Sequence, residues 1–144
     1  MTGAAARATL HATAIAVDGR GLLITGATGA GKSTLALALI GLGATLISDD
    51  QTQLVATAEG ITLTCPAPSL KGVIEARGVG LIRTDAHDSA PLSLVVDLDQ
   101  QETGRLPPQR HVSVLGRTID LVYGSPSPTF PVALMLHLRH GRHA

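Results

Sequence analysis

The segment with the clearest chemistry is a glycine-rich run at residues 26–33, which reads GATGAGKS. It fits the pattern G-x-x-x-x-G-K-[ST] at every position. Glycines allow the backbone to curl so that several N–H groups point at one anion, and the start of a following helix adds partial positive charge. In such a segment the lysine reaches the β- and γ-phosphates of a nucleotide, and the serine hydroxyl is suited to hold Mg²⁺. The run therefore predicts a phosphate loop, whose contacts we place at Gly26, Ala27, Thr28, Gly29, Ala30, Gly31, Lys32, Ser33 and Thr34.

Two adjacent aspartates, Asp49 and Asp50, are candidates for the acid that phosphoryl transfer also requires. They directly follow a short apolar run at 44–48, and another apolar run at 22–25 precedes the phosphate loop. If these two runs are parallel strands, their carboxyl ends share one edge of the sheet, and the aspartates face the loop. A polar turn is the alternative interpretation of this pair. Asp97, which ends the apolar sequence LSLVVD, is the competing candidate for the acid.

The elements that must position these residues alternate between short apolar runs and turn-forming residues. Strands are predicted at 8–17, 22–25, 44–48, 51–57, 61–65, 92–98, 111–115 and 117–122. Helices are predicted at 32–42, which is apolar nearly all round and should be buried, and at 129–140. A hairpin turn is expected at 18–21, and the polar segment 100–110 is expected to be a surface loop. No regular element is predicted for the glycine-containing segment 69–84, and the whole pattern indicates an α/β fold with a strand-rich second half.

Composition limits the classes of function. The chain has 144 residues, 44% of them apolar and 15% charged, which suits one folded domain over residues 1–144. Lys and Arg number 11, as do Asp and Glu, so a basic nucleic-acid-binding surface is not expected. No apolar run approaches the ~20 residues that span a bilayer, and the start does not resemble a signal peptide, so no membrane partner is expected. The single cysteine, Cys65, fits a reducing compartment, and we expect a cytoplasmic location.

Four elements together resemble the bacterial HPr kinase/phosphorylase family, over about residues 9–105. They are a histidine, the phosphate loop, an Asp-Asp pair and an E-x-R-G-x-G segment, found here as His11, residues 26–33, Asp49-Asp50 and Glu75-Ala76-Arg77-Gly78-Val79-Gly80. The order and spacing of the four elements make the resemblance specific. The chain is similar to a short form of the family, with the C-terminal catalytic domain and without the N-terminal domain.

The resemblance implies a P-loop kinase domain with a mixed sheet and few helices, like the fold of phosphoenolpyruvate carboxykinase. It implies an ATP- and Mg²⁺-dependent kinase that phosphorylates a serine of HPr, a phosphocarrier of the phosphotransferase system, with phosphorolysis of the seryl phosphate as a second activity. By position, Asp50 is implied as the proton acceptor and Lys32 as the phosphate clamp. Ser33 and Glu75 are implied as Mg²⁺ ligands. The further catalytic residues that we expect are His11, Asp49 and Arg105.

The chain departs from the family's pattern near its end. The family's P-V-x-P-G-R-N segment, which is tied to phosphorolysis and to oligomer contacts, does not occur, and the matching region reads Phe130-Pro131-Val132-Ala133-Leu134. Kinase activity is therefore the direction that we expect. The alternative is a catalytically reduced, nucleotide-binding regulatory module. A homo-oligomer is compatible with the sequence, and the phosphoryl donor is either ATP or pyrophosphate.

Overall fold

The computed structural model describes residues 6–144, in which strands predominate. The strands are β1 (Arg7–Leu10), β2 (Thr13–Val17), β3 (Arg20–Thr25), β4 (Thr45–Ser48), β5 (Thr52–Thr57), β6 (Gly60–Thr64), β7 (Val73–Ala76), β8 (Gly80–Arg83), β9 (Ser89–Gln101), β10 (Arg110–Val114) and β11 (Arg117–Gly124). The α-helices of this part of the chain are α1 (Lys32–Gly41) and α2 (Phe130–His140), and a short 3₁₀ turn covers Pro68–Leu70. The α/β class and the strand-rich second half are confirmed.

A nine-stranded mixed sheet forms the centre of the molecule. Its main path runs β1-β5-β6-β9-β3-β2-β4, and β11, which carries β10, also pairs with β9. The pairs β3–β9 and β9–β11 are parallel, whereas the other pairs in this sheet are antiparallel. A separate hairpin of β7 and β8 falls within 69–84, where no element was predicted. Its strands have only four residues each, which is too short for a clear alternation of apolar and polar positions.

The order of β3, β2 and β4 decides where the candidate site residues meet. β2 lies between the other two strands and is antiparallel to both, so β3 and β4 run in the same direction. The carboxyl ends of β3 and β4 therefore lie at one edge of the sheet, as predicted, and α1 connects them. The same edge also receives the first residue of β2, Thr13, which pairs with Ile24.

The prediction of one strand over 8–17 was wrong, because this segment contributes to two strands with different partners. β1 pairs with β5, whereas β2 pairs with β3 and β4. The chain bends at His11, between the two strands. The hairpin turn between β2 and β3 is confirmed: Asp18 and Gly19 have φ angles of 50° and 76°, the positive values that a tight hairpin of this kind requires.

Both faces of the sheet are covered, and the alternation along the strands divides the core into two clusters. Leu22 and Ile24 of β3 pack towards α1 and α2, while Leu23 packs on the opposite face with Leu54 and Leu63. Helix α1 is not buried on every side, which corrects the prediction from its composition. It buries Leu35, Ala36 and Leu39, but Thr34 and Ala38 are exposed, because a helix in an outer layer has one face in solvent.

Helix α2 packs with α1 and ends in a basic turn held by side chains of the β2–β3 hairpin. Arg20 donates from Nη1 to the carbonyl oxygens of Leu138, at 2.6 Å, and of Arg139, at 2.8 Å. Arg139 lies 3.4 Å from the Asp18 carboxylate. These contacts satisfy carbonyls that a helix end leaves free. Neither α1 nor α2 is long and apolar enough to cross a membrane, and these are the α-helices of residues 6–144.

Candidate active site

The phosphate loop has the predicted place between a buried strand and a helix. β3 ends at Thr25, and α1 begins at Lys32. The loop needs its glycines, since Gly26, Gly29 and Gly31 have φ angles of 151°, 86° and 101°. The space is also tight at Gly26, where a Cβ atom would lie 3.0 Å from the Cβ of Ala30 and 3.2 Å from that of Leu98.

The Lys32 ammonium folds back over the loop. Its Nζ donates to the carbonyl oxygen of Gly26 at 2.7 Å and to that of Ala27 at 3.1 Å. The positive charge therefore lies within the curve of the loop, where phosphate oxygens would be received. Exchange of these neutral carbonyls for phosphate oxygens would strengthen the hydrogen bonds, since ionised acceptors bind an ammonium more strongly.

The Asp49 carboxylate connects three parts of the chain. Oδ1 accepts hydrogen bonds from the hydroxyls of Ser33, at 2.7 Å, and Thr13, at 2.9 Å. Oδ2 accepts from the backbone N–H of Glu75 at 3.0 Å. Asp49 follows β4, Ser33 lies in the first turn of α1, and Glu75 belongs to β7. The predicted convergence of the acidic pair with the phosphate loop is thus present in the structure.

Thr13 is a site residue that the sequence reasoning missed. Its side chain is fully buried, and its hydroxyl oxygen lies 3.5 Å from the backbone nitrogen of Asp50 while it donates to Asp49. No motif marks this threonine. The signal is topological: the first residue of a central strand, antiparallel to its neighbours, lies beside their last residues.

Asp50 has a different environment from that of Asp49. Its side chain is 75% exposed, and its Oδ1 lies 3.5 Å from Nδ1 of His11, which is itself 68% exposed. The φ angle of Asp50 is 69°, a left-handed conformation that few residues other than glycine adopt. The turn after β4 therefore directs one carboxylate into the sheet edge and leaves the next one accessible to a large partner.

A cavity of about 210 Å³ joins these groups. Lys32 and Arg77 contribute positive charge to its wall, and Asp50 and Glu75 contribute carboxylates. The remaining lining residues are the small or polar residues Thr13, Thr28, Gly29, Gly31, Ser33 and Thr34. The β7–β8 hairpin, to which no element was assigned from sequence, thus supplies one wall of the candidate site.

Arg105, Asp97 and Asp99 lie outside this cavity. Arg105 is exposed in the loop between β9 and β10, and it is not among the described residues that line the cavity. Asp97 faces a second, mostly apolar cavity of about 320 Å³, together with Leu23 and Val95. Asp99 reaches the phosphate loop from outside, since its Oδ1 accepts from the N–H of Ala27 at 2.9 Å.

The donor set at the cavity suits Mg²⁺. Ser33 and Glu75 line the cavity, the Asp49 carboxylate is hydrogen-bonded to the Ser33 hydroxyl, and Mg²⁺ prefers oxygen ligands of these kinds. Residues 6–144 contain no cluster of three or more His, Cys, Asp or Glu side chains arranged to hold a metal ion by themselves. That is the usual situation for Mg²⁺ in phosphoryl transfer, where one or two protein ligands act together with phosphates of the substrate.

Comparison with known proteins shows a matching family. The sequence model of the HPr serine kinase C-terminal domain matches residues 3–110. The chain belongs to the HPr serine kinase family. HPr kinase/phosphorylase of Burkholderia lata is 38% identical over 130 residues, and that of Azoarcus sp. is 37% identical over 137 residues. These alignments cover 82% and 90% of this chain but only 40% and 44% of the relatives, so the chain spans less than half of their length.

A solved structure has the same fold. The Hpr(Ser) kinase/phosphatase from Coxiella burnetii superimposes with a TM-score of 0.74 and 26% sequence identity, over 92% of this chain and 88% of that one. The mixed sheet with few helices is therefore the P-loop kinase fold of this family, which confirms the predicted fold class. Helix α2, which contains Phe130 to Leu134, lies beyond the part of the chain that matches the family model.

Proposed function

We propose that this chain is the catalytic part of an ATP-dependent kinase that phosphorylates a serine of HPr. The observation that carries the proposal is the Asp49 carboxylate, which accepts a 2.7 Å hydrogen bond from Ser33 of the phosphate loop, with Asp50 at the same cavity. An anion cradle with a positioned carboxylate beside it provides two things that phosphoryl transfer to a hydroxyl requires, namely binding of the phosphates and an acceptor for the hydroxyl proton. Membership in the family supports HPr as the acceptor.

The phosphate loop and Lys32 bind the triphosphate in this proposal. N–H groups of the loop would bind the β-phosphate, and the ammonium would move from the carbonyls of Gly26 and Ala27 to oxygens of the phosphates. Ser33 and Glu75 would hold Mg²⁺, and Asp49 would orient the Ser33 hydroxyl. When bound, the ion neutralises charge that develops on the transferring phosphoryl group.

Asp50 accepts the proton of the attacking hydroxyl. A bond forms between the serine oxygen of HPr and the γ-phosphorus, the bond from the γ-phosphorus to the bridging oxygen breaks, and ADP leaves. The proton of the serine passes to the Asp50 carboxylate. Its 75% exposure lets a side chain of another protein approach, and His11, 3.5 Å away, orients it. A positioned base of this kind contributes about 10²–10⁴ in rate.

Transfer of labelled γ-phosphate to purified HPr tests the proposal. The chain, Mg²⁺ and labelled ATP are incubated with HPr, and mass spectrometry locates the modified residue. We expect one phosphoserine on HPr, and we expect the variant Lys32→Met to reduce the transfer rate at least tenfold. The same assay with pyrophosphate distinguishes the two donors.

Two results would contradict this proposal. Binding of Mg·ATP with no phosphate on HPr would show a nucleotide-binding regulatory module instead. Modification of a residue type other than serine would exclude the proposed specificity. Release of the seryl phosphate by added inorganic phosphate, with formation of pyrophosphate, would reveal phosphorolysis as a second activity, in which Asp50 returns its proton to the serine oxygen.

A further inference from the structure

Asp99 lies where β9 leaves its regular pairing. Tyr123 of β11 pairs with Asp97, but the next residue, Gly124, pairs with Gln101, so residues 98–100 bulge out of the ladder. The Asp97 carboxylate accepts from the backbone N–H of Asp99 at 2.9 Å, which holds the bulge in place. The side chain of Asp99 is thereby carried to the phosphate loop, which follows the neighbouring strand β3.

The bulge and the phosphate loop are in close contact. The Asp99 carboxylate accepts from the N–H of Ala27 at 2.9 Å. A Cβ atom on Gly26 would lie 3.2 Å from the Cβ of Leu98 and 3.5 Å from the Asp99 carboxylate. The first peptide group of the loop, which joins Gly26 to Ala27, is therefore seated against β9.

That one peptide group lies between two opposite charges. Its N–H donates to the Asp99 carboxylate at 2.9 Å, and its carbonyl oxygen accepts from the Lys32 ammonium at 2.7 Å. Each charge polarises the peptide in the direction that strengthens the other hydrogen bond. A rotation of this peptide plane would break both contacts at once.

We propose that Asp99 is a positioning residue of the phosphate loop, which fixes the Gly26–Ala27 peptide and, through its carbonyl, the starting place of Lys32. The Ala27 N–H then donates to Asp99 and not to a phosphate oxygen. The N–H groups that bind phosphate are those later in the loop. Asp99 is exposed, so its charge repels a bound triphosphate only weakly, and the orienting hydrogen bond outweighs that repulsion. The expected effect of Asp99 on nucleotide binding rests on the proposed function, whereas the hydrogen bond between Asp99 and Ala27 does not.

Asp99→Ala and Asp99→Asn test this role, with Glu59→Gln as the matched control. Glu59 is exposed in the turn between β5 and β6 and does not line the cavity of the candidate site, and its substitution also removes one surface negative charge. The first readout is the Ala27 amide in ¹⁵N–¹H spectra of the nucleotide-free protein, by its proton shift and its exchange rate. The second readout is the dissociation constant of Mg·ATP, together with KM and kcat for transfer to HPr.

We expect the Ala27 amide of the unsubstituted protein to be shifted downfield and protected, and the Asp99→Ala variant to lose both features. We expect Asp99→Ala to weaken Mg·ATP binding and to raise KM about fivefold with little change in kcat, since the lost contact organises the empty loop. Asp99→Asn retains an acceptor and should be intermediate, and Glu59→Gln should match the unsubstituted protein.

An unprotected Ala27 amide in the unsubstituted protein, or Mg·ATP binding unchanged in Asp99→Ala, would overturn the role of Asp99. Should Asp99→Ala not fold, the comparison of Asp99→Asn with the unsubstituted protein decides the question by the same two readouts. An unsubstituted protein that shows the shifted, protected Ala27 amide but binds no nucleotide would contradict the proposed function. The role of Asp99 in nucleotide binding would then fail as well, but the hydrogen bond between Asp99 and Ala27 would be confirmed.

Discussion

At the scale of single residues, Thr13 connects the two aspartates of the site. Its hydroxyl donates to Asp49 at 2.9 Å, and its oxygen lies 3.5 Å from the nitrogen of Asp50, whose φ angle is 69°. Asp49 also accepts a hydrogen bond from the Ser33 hydroxyl. The buried Thr13 side chain therefore contacts both the carboxylate beside the phosphate loop and the backbone of Asp50, the proposed base. We therefore expect Thr13 to act on the proposed reaction through its contacts with Asp49 and Asp50.

Thr13→Val and Thr13→Ser separate this role from packing. Valine has nearly the shape of threonine and loses the hydroxyl, so we expect the rate of transfer to HPr to fall about tenfold while the variant stays folded, because the Asp49 carboxylate loses a donor. Serine retains the hydroxyl and should restore most of the rate. Initial rates at saturating Mg·ATP measure the effect. Equal rates for Thr13→Val and the unsubstituted protein would show that the hydroxyl is not needed.

At the scale of elements, the strand–loop–helix unit around residues 26–33 is what the sequence predicts best. Its glycines, its lysine and the apolar runs on both sides each indicate the same local structure, and local signals of this kind need no knowledge of the rest of the fold. The position of Glu75 was harder to predict from the sequence. It depends on a hairpin of four-residue strands whose position beside β4 follows from contacts distant in sequence, such as the N–H of Leu46 with the carbonyl of Asp85 at 3.1 Å.

Two glycine-to-alanine substitutions compare the tightly packed phosphate loop with the end of α1, where an added methyl group has free space. Gly26→Ala introduces a methyl group 3.0 Å from the Cβ of Ala30 at a φ angle of 151°, so we expect the loop to distort and Mg·ATP binding to fall at least tenfold. Gly41→Ala, at the last residue of α1 with nothing within 4 Å of the new atom, should raise the free energy of unfolding by about 0.5–1 kcal/mol.

Nucleotide titration and urea unfolding of both variants measure these effects. Gly41→Ala should bind Mg·ATP as the unsubstituted protein does, which makes it the matched control for an added methyl group. Retention of binding by Gly26→Ala would show that the loop is not seated against β9 as the structure has it.

At the scale of the whole molecule, the long strand β9 joins the parts of the fold. It pairs with β6 near its start and with β3 and β11 further along, so the two core clusters lie on either side of it. The sequence predicts this strand over 92–98 but not its extension to 89–101 or the bulge that carries Asp99, because pairing partners and not apolar runs determine them. Parallel direction of β3 and β4 was predictable, whereas the insertion of β2 between them was not.

The pH dependence of stability includes a contribution from the segment after β9. Hydrogen bonds from Arg110, at 3.1 and 3.3 Å, hold the pKa of the Glu102 carboxyl below its ordinary value of 4.5. Because the folded pKa is the lower one, this contribution is present above the ordinary value and is lost as the pH falls through the folded pKa. We therefore expect the melting temperature to fall less steeply in Glu102→Gln than in the unsubstituted protein, between about pH 5 and about pH 3.

Arg110→Met is expected to flatten the same curve, because it removes the main cause of the lowered pKa of Glu102. Melting curves followed by circular dichroism at a series of pH values measure all three proteins. Parallel curves for the three would mean that the pair does not couple to folding.

The proposed role of Asp50 is that of the base at a nucleotide site built on the phosphate loop and Asp49. Single-turnover transfer from labelled Mg·ATP to HPr tests it most directly, with the unsubstituted protein compared with Asp50→Asn at full nucleotide occupancy. We expect transfer by Asp50→Asn to be at least tenfold slower, with the dissociation constant of Mg·ATP unchanged within about threefold. Transfer at an equal rate would exclude Asp50 as the base.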